Sequence, residues 1–176
     1  MKILVVQNRM GIGDMVIFLP FIEAISKNFG VPVSILVKEN SKAAHVLGEN
    51  KNINQIITLD RGNKTKNGRH DGIVGSYNLM KDLKKENFDK IFIFNSSLRF
   101  NLIAKIAGIK NIYQYPLFNK KNQHIIDAAK NFVKKELNIE TKSNPQIYIN
   151  DEFVKKSKSN YKINDEEINI LLGIGG

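Results

Sequence analysis

The chain contains no cysteine and no tryptophan, and only three histidines occur in its 176 residues. Without a thiol, the protein cannot form a disulfide, a thiolate zinc site or a cysteine nucleophile. The histidines are scattered, at His45, His70 and His124, whereas an imidazole metal site needs several ligands that come together. We therefore expect no metal site and no thiol chemistry.

Long apolar runs are also missing. The longest covers residues 15–22 and contains Pro20, whereas a membrane-spanning helix needs about 20 apolar residues. The N-terminal stretch MKILVVQNR becomes polar after four apolar residues, which is too short for the apolar region of a secretory signal. These patterns predict a cytoplasmic chain without a transmembrane helix, and the 42% apolar content is sufficient for the core of one domain.

Positive charge is unevenly distributed. The formal net charge is +10, and residues 61–142 carry all of that excess, since residues 1–60 sum to +1 and residues 143–176 to −1. One interpretation is an anionic partner such as a phosphorylated substrate, a lipid headgroup or a nucleic acid. The other is that lysine is abundant throughout the chain, as any AT-rich coding sequence would produce, and forms a solvated surface.

Short apolar strands alternate with amphipathic helices along the first 142 residues. The pattern predicts strands at residues 2–6, 32–37, 53–59, 90–94 and 109–113, with helices at 15–29, 41–47, 76–87, 97–107 and 124–137. Pro20 is expected to kink or restart the first of these helices. Strands that alternate with helices over short connections predict an α/β fold with a doubly wound, Rossmann-like parallel sheet.

The composition changes after residue 142. Residues 141–145 have the character of a linker, followed by a predicted strand at 146–149, a helix at 151–159 and an apolar strand at 168–172 that leads into four residues, three of them glycine. We therefore predict a domain at 1–142 and, at 143–176, a linker and the first strand of a second α/β domain. A strand with a glycine-rich turn and no helix after it suggests a truncated second unit.

The first strand leads into a loop, RMGIGD, at residues 9–14. Ligands of open parallel sheets bind beyond the carboxyl ends of the strands, which makes this loop the leading candidate site. The third glycine of the dinucleotide-binding fingerprint is replaced by Val16, so the loop does not predict dinucleotide binding. Asp14 has two interpretations, as the N-cap of the following helix or as a carboxylate that accepts a proton from a substrate hydroxyl.

Several stretches, in this order, resemble glycosyltransferase family 9, the ADP-heptose:lipopolysaccharide heptosyltransferases. They are the strand KILVV, the loop ending in Gly13-Asp14, the helix with Pro20 six residues further on, VSILVKENSKAAHVL, INQIITLD, FDKIFIFNSSLRFNLIAKIAGIKNIYQY and a helix led by His124. The resemblance covers nearly the whole chain and implies the N-terminal half of a two-domain GT-B fold. It also implies an inverting, metal-independent transfer of a heptose, or a related sugar, from an ADP-sugar to the lipopolysaccharide core.

The resemblance assigns roles to individual residues. Asp14 matches the acidic residue expected to act as general base for the acceptor hydroxyl. The residues expected to bind the acceptor are Asn8, Arg9, Met10, Gly11, Gly13, Arg61, Lys64, Lys66, Arg69, Ser96 and His124, and those expected to contact the donor are Gly175 and Gly176. Arginine suits this role because it can clamp a phosphate or carboxylate in a bidentate fork. Solvated surface remains the alternative for the four basic residues at 61–69, and helix capping for Ser96.

The resemblance also implies the partners. They are a nucleotide-sugar donor and the lipopolysaccharide core, with no cofactor beyond the donor, no nucleic acid and no obligate protein partner. Contact with the cytoplasmic face of the inner membrane would be peripheral and electrostatic. Because the donor is held mainly by the second domain in a GT-B enzyme, the 176-residue chain alone is expected to be inactive. The alternative function is a non-catalytic Rossmann-like module that binds a phosphorylated or anionic ligand.

Overall fold

A five-stranded parallel sheet organises the protein. The computed structural model describes residues 1–62, 67–117 and 123–170. The strands are β1 (Ile3–Gln7), β2 (Val33–Lys38), β3 (Ile53–Leu59), β4 (Lys90–Ile93) and β5 (Asn111–Gln114), and they lie in the order β3-β2-β1-β4-β5. All four pairings are parallel. This confirms the predicted doubly wound α/β fold.

Six α-helices accompany the sheet among the described residues. They are α1 (Ile12–Phe29), α2 (Ala43–Leu47), α3 (Gly72–Glu86), α4 (Leu98–Ile106), α5 (Ile125–Leu137) and α6 (Asp151–Asn160), and a 3-10 turn at Glu39–Ser41 precedes α2. None of the helices in the described part of the chain is both long and apolar enough to cross a membrane.

Strand β1 lies at the centre of the core, and its five residues are all buried. Because successive side chains of a strand point to opposite faces, Ile3 and Val5 pack on one side of the sheet and Leu4 and Val6 on the other. The first side is covered by α1 and α5, and the second by α3 and α4. Each of these aliphatic side chains contributes about 1.5–3 kcal/mol by its burial.

Helix α1 is one helix from Ile12 to Phe29, so the predicted interruption at Pro20 does not occur. A proline inside a helix removes one backbone hydrogen bond and costs about 3 kcal/mol. The side chains on both sides of it, Phe18, Leu19, Phe21 and Ile22, are fully buried. Their burial outweighs the cost of the proline.

The predicted strand at residues 146–149 is wrong, because no regular structure occurs between Thr141 and Asn150. These residues lie on the surface with no neighbouring strand, and a strand needs a partner for its backbone hydrogen bonds. Residues 168–170 are also exposed and are not a strand, and the rest of the strand predicted there lies outside the described residues. Helix α6 agrees with the predicted helix at 151–159. The division of the chain into 1–142 and 143–176 remains a prediction.

A buried polar pair fixes the connection between α2 and β3. Asn50 donates from Nδ2 to Glu23 Oε1 of α1 at 2.8 Å, and Asn50 Oδ1 accepts from the backbone N–H of Asn52 at 2.9 Å. Asn50 is 4% exposed and Glu23 is 6% exposed. The pair therefore joins the start of β3 to the middle of α1.

We expect Asn50→Ala to lower the free energy of unfolding by about 2–3 kcal/mol, because it leaves a buried carboxylate oxygen without its donor. Denaturant unfolding followed by circular dichroism measures the change. The control is Asn160→Ala at the exposed end of α6, which should change the free energy by less than about 0.5 kcal/mol. Equal effects of the two substitutions would contradict the structural role of Asn50.

Candidate functional site

The sheet order reverses at β1, which pairs with β2 on one side and with β4 on the other. In open parallel sheets the crevice outside the carboxyl ends of two such strands is the usual ligand site. Asn8 follows β1 and Asn95 follows β4, and Asn95 Nδ2 donates to Asn8 Oδ1 at 3.1 Å. This hydrogen bond joins the two strand ends at the point where the crevice opens.

The loop after β1 is shorter than the sequence predicts, because α1 begins at Ile12 rather than at residue 15. Gly11 occupies the N-cap position with φ of 99°, a conformation that side chains rarely adopt. Its carbonyl accepts from the backbone N–H of Met15 at 3.4 Å. Asp14 is consequently the third residue of the helix, and its interpretation as the N-cap is wrong.

Asp14 lies at the positive end of α1 and is half-buried. It has no hydrogen-bond or ion-pair partner within residues 1–62, 67–117 and 123–170. Phe18 follows one turn later, so both side chains lie on the same face of the helix. Phe18 lines a cavity at this edge of the sheet, and Asp14 lies one helical turn from it, outside the cavity lining.

The cavity has a volume of about 680 Å³ and lies between the carboxyl ends of β4 and β5 and helix α5. Four aromatic side chains line it, and three of them form a cluster: Phe94 and Phe132 pack edge to face at 5.2 Å, and Tyr115 and Phe132 at 5.0 Å. The lining comprises Arg9, Phe18, Phe94, Asn95, Ser96, Gln114, Tyr115, Pro116, Gln123, Ile125, Ala128, Asn131, Phe132 and Lys135. Four side-chain amides and two cations therefore accompany an aromatic wall, a combination suited to the hydroxyls, apolar faces and acidic groups of a sugar.

Arg9 and Tyr115 set the polarity of the cavity. Lys135 is paired with Glu136 at 3.0 Å, whereas Arg9 has no carboxylate partner in the described part of the chain. Burial raises the pKa of the Tyr115 hydroxyl, and the nearby charge of Arg9 opposes that shift. Tyr115 is therefore a protonated donor at neutral pH.

Two buried polar side chains near this edge have no hydrogen-bond partner in the described structure. They are the Tyr115 hydroxyl and the amide of Gln7, the last residue of β1, which is 1% exposed. Buried polar groups almost always find a partner, often a water or a ligand. The Tyr115 hydroxyl is therefore a buried donor, in the wall of the cavity, that the described residues leave unsatisfied.

The structure brings some of the predicted acceptor residues together. Arg9 and Ser96 line the cavity and Asn8 lies at the crevice, while Met10 and Gly13 are exposed on the first loop and first turn. His124 is the exposed N-cap of α5, where its Nδ1 accepts from the backbone N–H of Ile126 at 3.3 Å. His124 does not line the cavity, although its neighbours Gln123 and Ile125 do.

The predicted basic loop contains ion pairs where the structure describes it. Arg61 Nε lies 2.6 Å from Asp71 Oδ1, and Arg69 forms a two-point ion pair with Asp82 of α3. Hydrogen bonds from the backbone N–H groups of Gly68 and Gly62, with a smaller contribution from Arg61, lower the pKa of Asp71. Both arginines are therefore held by carboxylates of this chain. Lys64, Lys66, Gly175 and Gly176 lie outside the described residues.

The same loop is fastened to α3 and α4. His70 is buried, its Nδ1 accepts from the backbone N–H of Asp60 at 3.0 Å, and its Nε2 lies 3.1 Å from Asp82 Oδ2. Arg99 donates to the His70 carbonyl and, at 2.9 Å, to Ser76 Oγ. A Cβ on Gly75 would lie 2.1 Å from the carbonyl carbon of His70, so the backbones of α3 and the loop are in direct contact.

The prediction missed the amides and Lys135 of the cavity lining. Asn95 and Gln114 lie at or after the ends of β4 and β5, so the rule that ligands bind at carboxyl ends of strands could have found them. Asn131 and Lys135 share one face of α5 with Ala128, since residues three and four apart are neighbours on a helix. Phe94 and Tyr115 form part of the cavity wall.

In the described parts of the chain, no group of three or more His, Asp or Glu side chains comes together in a way that could hold a metal ion. The absence of a metal from the reaction remains a prediction. The site described above consists instead of one carboxylate, one arginine, several amides and an aromatic wall.

No protein-family model and no curated protein matches this chain. Solved structures do. The glycosyl transferase family 9 protein from Veillonella parvula DSM 2008 is 19% identical with a TM-score of 0.69, over 98% of this chain and 54% of that protein. ADP-heptose lps heptosyltransferase II of E. coli is 12% identical with a TM-score of 0.61, over 94% of this chain and 52% of that protein.

A third similar structure is the E. coli heptosyltransferase WaaC with ADP-2-deoxy-2-fluoro heptose. It is 15% identical with a TM-score of 0.56, over 83% of this chain and 50% of that protein. The chain thus spans about half the length of these three structures. The resemblance predicted from the sequence is confirmed at the level of the fold.

We expect Tyr115→Phe to leave the free energy of unfolding unchanged or to raise it by up to about 1 kcal/mol, because it removes a buried hydroxyl that has no partner. Thermal and denaturant unfolding measure the change, with Tyr161→Phe, at a side chain that is 78% exposed, as the control. A loss of more than about 1 kcal/mol would show that the hydroxyl is already satisfied within the protein.

The Asp82 cluster predicts a pH dependence of stability. The hydrogen bond from Arg69 lowers the pKa of Asp82, and His70 adds to this effect. A carboxylate whose pKa is lowered by folding stabilises the protein above its unfolded pKa of about 3.9, and this stabilisation is lost as the pH falls through the folded pKa.

The free energy of unfolding of Asp82→Asn is therefore expected to lie below that of the wild type above about pH 5, and the two should converge as the pH falls below about 3. Urea unfolding across this pH range tests the prediction. Asp165→Asn, which removes an exposed ion pair with Lys158, is the control and should show little difference at any pH. A difference for Asp82→Asn that does not vary with pH would contradict the prediction.

Proposed function

We propose that this chain is the acceptor-binding half of a GT-B glycosyltransferase that transfers a heptose, or a related sugar, from an ADP-sugar to the lipopolysaccharide core. One observation carries the proposal: a half-buried carboxylate, Asp14, has no protein partner among the described residues and lies one helical turn from Phe18, which lines an amide- and aromatic-lined cavity at the carboxyl edge of the sheet. The similar folds of named heptosyltransferases support it.

In the proposed reaction, Asp14 is the general base. The oxygen of an acceptor hydroxyl attacks the anomeric carbon of the donor sugar, and its proton passes to the Asp14 carboxylate. The bond from the anomeric carbon to the nucleoside diphosphate breaks, and its electron pair leaves with the diphosphate. Attack from the face opposite the leaving group inverts the anomeric configuration. The reaction uses no cofactor, and the donor is a substrate.

The cavity would hold the acceptor. The Tyr115 hydroxyl and the amides of Asn95, Gln114 and Asn131 offer hydrogen bonds to sugar hydroxyls, and the aromatic wall suits the apolar face of a sugar ring. Arg9 is placed to bind an acidic group of the acceptor. Arg61 and Arg69 already pair with Asp71 and Asp82, so each would bind the ligand only by dividing its hydrogen-bond donors between the ligand and its carboxylate partner.

The acceptor class implies the location. A lipopolysaccharide core carried by lipid would be modified at the cytoplasmic face of the inner membrane, where the excess positive charge of residues 61–142 favours peripheral attachment to anionic lipids. No nucleic acid and no obligate protein partner is part of this proposal.

The donor is expected to be bound mainly by a second domain, and this chain spans about half of the similar structures. We therefore propose that the 176-residue chain alone does not turn over, because a base without a positioned donor loses the contribution of proximity. A coding sequence that continues for about 150 residues after Gly176 would support a two-domain enzyme. A stop codon directly after Gly176 would contradict it and favour the binding-only alternative.

We expect Asp14→Asn to lower kcat by about 10²- to 10⁴-fold, because it removes the proton acceptor and keeps the shape of the side chain. Release of nucleoside diphosphate from an ADP-sugar is measured on the protein encoded by the complete reading frame. Acceptor affinity, measured by calorimetry on that protein and on this chain, should change by less than about threefold.

Asp151→Asn is the matched control, since Asp151 lies in the first turn of α6 as Asp14 does in α1, and α6 contributes no residue to the cavity lining. Both substitutions remove a carboxylate from a helix N-terminus, and only Asp14→Asn should lower kcat. Equal turnover by wild type and Asp14→Asn would rule out Asp14 as the base. Acceptor binding without any turnover by the wild-type complete protein would support the binding module.

A further inference from the structure

The helices on the two sides of the sheet differ in the side chains that they expose. Helices α3 and α4 carry six large apolar side chains in solvent: Ile73 (91% exposed), Val74 (73%), Tyr77 (53%), Leu98 (54%), Leu102 (47%) and Ile106 (65%). We call this set the α3–α4 face. On the opposite side, α5 exposes no large apolar side chain.

The spacing of these residues places them on the outer surface of each helix. Leu98, Leu102 and Ile106 recur every four residues along α4, and Ile73 and Tyr77 do so along α3, so each set forms a stripe. The buried faces of the same helices carry Leu79, Leu83, Phe100 and Ile103, which pack on the sheet. The stripes therefore point away from the core.

The two stripes lie side by side. Helices α3 and α4 pack on each other, and the hydrogen bond from Arg99 Nε to Ser76 Oγ at 2.9 Å joins their first turns. Both helices begin at the carboxyl edge of the sheet, since α3 follows β3 and α4 follows β4. The two neighbouring helices therefore carry their apolar stripes on the same side of the sheet, unlike the scattered single apolar side chains of an ordinary protein surface.

The α3–α4 face is also the positively charged side of the protein. Residues 72–110 contain seven Lys or Arg against three Asp or Glu, whereas residues 123–142, which include α5, contain four against three. The three acids of residues 72–110 are all engaged: Asp82 with Arg69, Glu86 with Lys2 at 3.9 Å, and Asp89 with the backbone N–H of Lys2 at 2.7 Å. The exposed lysines beside the apolar stripes include Lys81, Lys84, Lys85 and Lys105.

We propose that the α3–α4 face docks the protein on an anionic lipid surface, with its apolar side chains in the headgroup boundary and its lysines on the lipid phosphates. Apolar stripes flanked by lysines on surface helices have this chemistry. A second copy of the chain fits less well, because the same positive face would have to meet itself. This inference rests on the proposed function, whose acceptor identifies the membrane, and it names the surface of the protein that would contact that membrane.

Docking in this way has a geometric consequence for the site. The first turns of α3 and α4 lie at the same edge of the sheet as Asp14 and the mouth of the cavity. A lipid surface against Ile73, Val74 and Leu98 would lie beside that edge. An acceptor anchored in the lipid would then extend past this edge of the sheet to reach the cavity, which lies on the α5 side.

The test is co-sedimentation of the chain with vesicles of phosphatidylcholine alone and of phosphatidylcholine mixed with phosphatidylglycerol. We expect binding to the mixed vesicles that weakens when salt is raised, and much weaker binding to the neutral ones. The double variant Ile73→Ser/Leu102→Ser should lower the partition coefficient by at least about tenfold, because two apolar side chains no longer enter the lipid. Ile168→Ser/Ile170→Ser is the matched control, since Ile168 is 92% and Ile170 78% exposed, and it should bind as the wild type does.

A charge variant tests the second half of the proposal. Lys84→Gln/Lys85→Gln should lower binding to the mixed vesicles by about fivefold for each lysine. Lys155→Gln/Lys156→Gln removes an equivalent exposed pair from α6 and should leave binding unchanged. Circular dichroism of every variant checks that it is folded, which is expected because all the substituted side chains are on the surface.

Equal vesicle binding by the wild type and by both α3–α4 variants would overturn the inference. So would an apolar double variant that converts a dimer to a monomer in sedimentation without losing vesicle binding, because the face would then be an interface between copies. Asp14→Asn should bind vesicles like the wild type. If it does and also retains turnover, the proposed function fails while the docking surface stands.

Discussion

The pairing of β1 with a parallel strand on each side is the constraint on which the rest of the structure depends. A strand that is hydrogen-bonded along both edges and buried on both faces must be largely apolar, and it must have helices above and below it. The chain runs from β1 to β2 and β3 on one side, and the connection from β3 then crosses back to β4 on the other side of β1. The crevice, the hydrogen bond between Asn8 and Asn95 and the position of Asp14 all follow from this one arrangement.

Charge is organised differently on the two sides of the molecule. In the loop after β3, arginines and aspartates neutralise one another and hold the loop against α3. On the outside of α3 and α4, lysines stand next to exposed aliphatic side chains without carboxylates between them. The basic side chains that give the sequence its excess of positive charge therefore fall into two groups. One fixes local structure, and the other faces solvent, where it can act on a partner.

The sequence predicted the strands well, because a run such as residues 2–6 is apolar and β-branched whatever its neighbours are. It could not predict the cavity in the same way. Tyr115, Phe132 and Arg9 come together only when α5 packs across the ends of β4 and β5, and no local pattern records that packing. The start of α1 was missed because Gly11, a weak cap by residue type, provides the required backbone conformation. The ion pair of Arg69 with Asp82 depends on α3 turning back along the loop. The prediction of a strand at 146–149 was wrong because no neighbouring strand pairs with these residues.

The contact between Gly75 and the backbone of His70 limits how this protein can diverge. Any side chain at position 75 would overlap the carbonyl carbon of His70, so this glycine can be substituted only if the loop moves. The arginine and aspartate pairs around it are less restricted, since a pair can exchange its members or be lost one contact at a time. Across a lineage, the shape of the loop should therefore outlast its charges, and related proteins could alter their ligand preference here while this glycine stays in place.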